Sequence, residues 1–486
     1  MRNGTNAPPG YRDCATDEAD RAVAGSGLRA AAGRSDGGSL AERLVCAYLV
    51  WLPLLWVSGV VLPVATLLIV GLAGVVGRSR RCVLCALPWL LVGCLQIVSV
   101  IINMHAAGDP PWRLLRHLLA SYVLGWFLLG GCVAIGASGA IRPQPFLRAV
   151  SRIGFYAVAA APFLYALALI LGGPHLHVLT PIGRLLPVEL PSTSTFFGVL
   201  LYVWEDFFGL TLPRLSFLFP WATAMGFGGI CLIWVAACEP ETRRRRFALA
   251  GGVFMVFASM SRSAIVVLVL CAVVRMLLAF PRRVQLVIVP GGVAAACAVL
   301  LGATLSSGQP LAMFSAVLDD VREVRPGATA ARDRVHEATA LGVAESPLFG
   351  KGWPGDPVYP EDFPQVMEGG GTMVPGSHST YLGLWYLGGA TTLAMWILAW
   401  TITFVRVAAS GAPARFVRNS LVLLLGIALT GMNESIFGMV VPTFFAYIWL
   451  GIVLCESPDR RGAFPVRPLA EPLRTALPLR ALPEGR

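Results

Sequence analysis

Six residues in this chain have the types and settings needed to handle a charged, hydroxyl-bearing substrate: Arg214, Arg262, Arg332, Arg334, His378 and Glu434. A guanidinium binds phosphate oxygens in bidentate fashion and stays charged at any relevant pH. Two such groups would hold a diphosphate and stabilise the charge that builds on a departing phosphate. Histidine titrates near neutrality, so His378 has the chemistry of a general base toward a hydroxyl. It stands in Gly376-Ser377-His378-Ser379, at the mouth of an apolar stretch, where Gly376 lets backbone approach a ligand closely. Glu434 is a candidate to orient His378 or to bind sugar. A lone interfacial arginine ordinarily snorkels to headgroups, and a lone histidine ordinarily caps a helix. The difference here is that separate segments deliver arginine and histidine to one surface.

Other polar groups carry less. Pro347-Leu-Phe-Gly-Lys-Gly-Trp-Pro-Gly355 is no phosphate-binding loop of the GxxxxGK[ST] kind. His175 and His177 have no third ligand nearby, and His336-Glu337 lacks the second histidine of HExxH, so no metal site is expected. Asp319-Asp320 and Glu361-Asp362 are expected to be solvated loop charge, and an interfacial position accounts for Glu205 and Asp206. Of 11 cysteines, most fall in apolar runs; Cys82 and Cys85 form a CxxC at a membrane edge, and all are expected to pack as small apolar residues.

The elements that must position these residues are membrane helices. Hydrophobic residues make up 56% of the chain and charged ones 13%, against about 25% charged in soluble proteins. Mean hydropathy is +0.70. Long apolar runs exclude an outer-membrane barrel, whose strands alternate. The net charge of +11 is nearly all arginine, since Lys351 is the only lysine. Its clusters sit between apolar spans and so set orientation in the membrane; no nucleic-acid partner is implied.

Apolar runs and arginine positions predict an all-α polytopic fold with about twelve transmembrane helices and a large periplasmic loop. Leu44 to Val76 divides into two short spans turning near Gly59. Further spans cover about Cys82–Ile102, Leu118–Ser138, Ala149–Leu171, Leu215–Ala237, Phe247–Met260, Ser263–Phe280, Val284–Leu305, Ser379–Phe404, Ser420–Gly431 and Ile436–Cys455. Arg243 to Arg246 mark the cytoplasmic side most firmly, which turns Ser261-Arg262-Ser263 outward. Segments 172–214 and 306–378 are outer loops, and Phe196 to Leu210 is expected to lie in the interface. Residues 1–43 form an N-terminal cytoplasmic tail and 456–486 a C-terminal one, disordered by composition.

Three pieces together resemble the O-antigen ligase and polysaccharide polymerase superfamily of bacterial inner membranes. They are the Ser261-Arg262 turn; Arg332 followed at fifteen residues by Pro347-Leu-Phe-Gly-Lys-Gly352; and Gly376-Ser-His-Ser-Thr-Tyr-Leu382, soon followed by Gly388-Gly389. Arg214 ahead of an apolar span adds to the likeness, which runs from about Arg214 to Leu454. The resemblance implies a membrane fold related to C-type glycosyltransferases. It implies transfer of a glycan from an undecaprenyl-diphosphate carrier to a sugar or lipid acceptor at the periplasmic face, by inversion and with no cofactor or obligatory metal. Arg262 and Arg332 would then hold the diphosphate and His378 would activate the acceptor. The family often carries tryptophan four residues after the loop arginine; His336 stands there, so Arg334 rivals Arg332. The competing expectation is a transporter or flippase of lipid-linked glycans, which would need ionisable groups near mid-membrane.

Overall fold

The computed structural model describes residues 38–76, 79–107, 112, 115, 125–173, 175–185, 197–207, 210–280, 326–353 and 374–456. The expected span Val284–Leu305, the acidic pairs 319–320 and 361–362 and nearly all of both expected tails lie outside these residues.

The apolar runs fold as helices. α1 (Leu40–Ser58) and α2 (Val61–Val76) form a hairpin turning at Gly59, which takes a left-handed φ of 80°. Ser39 caps α1 by accepting from the Glu42 amide at 3.1 Å. α3 (Arg80–Ala107), α4 (Leu128–Ala137) and α5 (Pro143–Leu171) follow. The second half contains α6 (Ala222–Ala236), α7 (Thr242–Ala258), α8 (Arg262–Leu277) and the polar α9 (Pro326–Glu345). It ends with α10 (Thr380–Ala408), α11 (Ala414–Asn433) and α12 (Phe444–Cys455). α1, α3, α5, α10 and α11 are long and apolar enough to cross a bilayer; α2, α4, α6 and α12 are shorter apolar helices. These are the features of a polytopic membrane protein.

Short helices form the centre. All of α4 and all but one residue each of α6 and α12 are buried, as expected of helices apolar on every face. Longer helices wrap them and expose apolar side chains such as Phe163, Leu169 and Ile170 on α5. Two crossings bring backbone against backbone, α4 on α12 at Gly136 and Gly451 and α5 on α7 at Gly154 and Gly251, where an added Cβ would strike the facing chain.

Three expectations are corrected. The fold is mostly helical but not all-α: residues 175–215 contain an antiparallel sheet of β1 (His175–Leu179), β2 (Gly198–Phe207) and β3 (Leu210–Leu215). The stretch expected to lie in the interface is therefore largely β2, paired Tyr202 to Leu215 and Val203 to Arg214. Its branched and aromatic residues favour a pleated, half-buried surface. The last span is also broken: a 3-10 turn, Ile436–Met439, precedes α12. Finally, α10 is not one straight crossing. Gly389 has φ 72° and ψ −177°, outside the helical region. Tyr381 and Trp396 nonetheless meet edge to face with ring centroids 4.9 Å apart, although fifteen residues of straight helix would separate them by about 22 Å. The first arm, 380–388, therefore folds over against the long arm, 390–408.

The loop Pro347–Gly352 fills that break. Tyr386 O accepts from the Lys351 amide at 2.6 Å, Leu387 O from the Gly352 amide at 2.9 Å, and the Ala390 amide donates to Pro347 O at 2.8 Å. Backbone groups orphaned by the kink are thus satisfied from outside the helix. α3 braces the same point, with Ser99 Oγ donating to Leu387 O at 2.8 Å and Asn103 Nδ2 to Gly350 O at 3.0 Å.

Candidate functional site

Two of the candidates, Arg262 and His378, sit where a tight turn meets a helix start. Ser261 caps α8, its hydroxyl accepting from the Ala264 amide at 3.4 Å, which makes Arg262 the first helical residue. The turn before it is held by serines: Ser259 Oγ donates to Val256 O at 2.7 Å and accepts from the Ser261 amide at 3.3 Å. Arg214, at the end of β3, reaches over and donates Nε to Ser259 O at 2.6 Å. This hydrogen bond joins the Arg214 strand to the Arg262 turn.

His378 is placed in a similar way. Ser379 caps α10, accepting from the Leu382 amide at 3.3 Å, so His378 lies just outside the helix start, half-buried. The Gly376 amide donates to Thr339 Oγ1 of α9 at 2.8 Å. On the other side, Thr380 Oγ1 donates to Glu434 O at 2.8 Å and accepts from the Ile436 amide at 2.9 Å. The His378 segment is thus stitched to α9 and to the end of α11, and Glu434 itself is 7% exposed.

The register of α8 against α11 brings Arg262 to the same end. Arg275 bonds Asn419 and Cys271 Sγ bonds Val422 O, so the two helices run antiparallel. Thirteen residues up α8 and fourteen up α11, near 20 Å in each case, lie Arg262 and Asn433, next to Glu434. Arg334 is exposed on α9. Arg332 falls in the same helix, but its side chain lies outside the described part of the structure, as do those of Glu205 and Asp206.

Backbone strain marks the same places. Among the described residues, the non-glycines with positive φ are Leu218 (65°), Met260 (48°) and His378 (63°). They fall four residues after Arg214, two before Arg262 and on the candidate base itself. Such conformations cost about 1–3 kcal/mol each and gather where surroundings over-determine them, active sites included. Two hydroxyls beside the candidates, Ser216 and Ser377, are buried with no hydrogen-bond partner, which is uncommon for buried polar atoms. Helix starts at Arg262 and Ser379 also present amides and the positive end of the helix dipole, a setting suited to an anion.

Sequence reasoning missed the residues that hold this arrangement: Ser259, Thr339, Thr380, Ser99 and Asn103. One signal was available, since Gln96, Ser99 and Asn103 recur at helical spacing on one face of an apolar span. Gln96 accepts from Trp126 Nε1 at 2.8 Å. His175 and His177 alternate along β1, and among the described residues no three His, Cys, Asp or Glu side chains are grouped as metal ligands would be. Cys82 and Cys85 are buried free thiols, and the Lys351 ammonium pairs with Glu345.

Fold and site together describe a multi-pass membrane protein with one strained, polar end. Residues 247–397 match the family model for O-antigen ligase, which supports the resemblance of the chain to the O-antigen ligase-like superfamily. The matched segment contains Arg262, Arg332, Arg334 and His378, while Arg214 and Glu434 lie outside it. No curated protein matches the chain.

Proposed function

We propose that this protein transfers an oligo- or polysaccharide from an undecaprenyl-diphosphate carrier to a sugar or lipid acceptor at the periplasmic face of a bacterial inner membrane. It acts as a polymerase of repeat units or as a ligase. The observation that carries this reading is the stitching of the His378 segment to α9 at Thr339 and to the end of α11 at Glu434 and Ile436. The O-antigen ligase match over the same segment supports it.

In this proposal Arg262 and either Arg332 or Arg334 bind the donor diphosphate, with Arg214 in the same set and anchoring the turn. His378 takes the proton of an acceptor hydroxyl. The freed oxygen attacks the anomeric carbon opposite the diphosphate, the carbon–oxygen bond to phosphate breaks, and configuration inverts. Guanidinium charge stabilises the departing diphosphate, and Glu434 orients His378. The domain would extend over residues 44–455 with about twelve spans, outer loops at 172–214 and 306–378, and cytoplasmic tails at 1–43 and 456–486.

The test is a deletion strain complemented with wild type or His378→Ala, with surface glycan and the lipid-linked pool analysed together. Loss of surface polymer with accumulation of lipid-linked single repeat units identifies a polymerase, and accumulation of long lipid-linked chains a ligase. Normal polymer with a well-expressed His378→Ala protein would overturn the transferase reading in favour of transport.

A further inference from the structure

At the opposite end of α8 and α11, three arginines, Arg275, Arg415 and Arg418, gather without forming an ion pair. Arg275 Nε donates to Asn419 Oδ1 at 2.8 Å, and Arg415 Nε to Ala237 O at 2.7 Å. Arg415 also reaches Glu239 O at 3.1 Å, beside Arg245, which donates to the same oxygen at 3.2 Å. Arg418 Nε is buried with no hydrogen-bond partner. Arg418 lies close enough to Arg275, and Arg275 to Arg415, for their like charges to interact. Among the described residues none of the three makes an ion pair, unlike Arg142 with Glu42 and Arg244 with Glu241.

Glu239, on the α6–α7 turn, is close enough for its charge to act on Arg415 but makes no ion pair with it. Glu239 is fully buried; its Oε1 accepts from the Glu241 amide at 3.1 Å and its Oε2 has no partner. Burial pushes its carboxyl above the usual carboxylate range, against the opposing pull of Arg244 and Arg148. Arginines that serve only to orient a membrane protein project into water. These are instead half-buried between the α6–α7 turn, α8 and α11, where uncompensated charge is costly.

We propose that this notch binds a phosphate group, carried by an anionic phospholipid headgroup or free in solution. Guanidinium clusters match phosphate geometry, and basic pockets between membrane helices hold lipid headgroups. A lipid headgroup and free phosphate offer the guanidiniums the same oxygens, so binding has to be tested with both sources. The proposal rests on the membrane reading and not on the transferase reading.

Arg418→Gln is the variant of choice, since it breaks no hydrogen bond. The full-length protein would be purified in detergent and titrated with phosphatidylglycerol, with bound lipid read by native mass spectrometry. Wild type should retain phosphatidylglycerol and Arg418→Gln should bind it about tenfold more weakly, the loss expected for one charge-assisted contact. Exposed Arg243→Gln and the site variant His378→Ala should both bind like wild type. Equal retention in Arg418→Gln and wild type overturns the proposal, as does an equal loss in Arg243→Gln. Displacement of lipid by millimolar inorganic phosphate assigns the site to free phosphate, and resistance to displacement assigns it to the lipid headgroup.

Discussion

At the scale of single residues, the candidate site depends on side chains that touch no substrate in the proposed reaction. Thr380 shows this best. It is 1% exposed, and its hydroxyl both donates to Glu434 O and accepts from the Ile436 amide. Thr380→Val keeps the shape but leaves a buried amide and a buried carbonyl unsatisfied, which costs about 1–3 kcal/mol. The expected result is a lower unfolding midpoint in detergent together with reduced glycan transfer, both recovered by Thr380→Ser. Full activity in Thr380→Val would mean that the Glu434 turn does not need to be tied to His378. Nothing in the sequence marks this threonine, because a hydroxyl that bridges two backbone groups looks the same as one that simply tolerates an apolar helix.

At the scale of elements, the break in α10 decides where His378 sits. Gly389 needs its left-handed φ, and a Cβ there would also run into the Leu348 carbonyl and the Phe349 amide. Gly389→Ala should therefore loosen the Pro347–Gly352 loop, shift the 380–388 arm and lower both stability and transfer. Gly74→Ala, whose Cβ meets nothing within 4 Å, should be neutral. If both alanines melt alike, the break carries no weight. Elements whose boundaries are set by local chemistry were legible in the sequence: the turn at Gly59, the turn at Ser261-Arg262-Ser263 and the helix opening after His378. Elements set by distant partners were not. The apolar count of α10 is that of one span, and docking by Pro347, Lys351 and Gly352 with bracing by Ser99 and Asn103 makes it two arms. The β2 segment was read by length and apolarity, whereas its strand form depends on pairing with β1 on one side and β3 on the other.

At the scale of the whole molecule, the described helices set two chemically different ends apart. One end collects the strained turns, His378 and Glu434. The other collects arginine: Arg142 on Glu42, Arg406 on Leu84 O, Arg415 on Ala237 O and Arg275 on Asn419. α11 joins the two ends with 20 residues, about 30 Å of helix and the thickness of a hydrocarbon core. Arginine-rich ends stay in the cytoplasm because translocating them is unfavourable, so the His378 end should face outward. Cysteine labelling tests this directly. Asn433 and Arg243 are both exposed and lie at opposite ends. In a background without the native cysteines, Asn433→Cys should react with a membrane-impermeant maleimide in spheroplasts, and Arg243→Cys only after permeabilisation. The reverse pattern would put His378 on the cytoplasmic side, where a carrier-linked glycan awaiting periplasmic transfer is absent. The proposed reaction would then fail on geometry alone, whatever His378→Ala does to polymer.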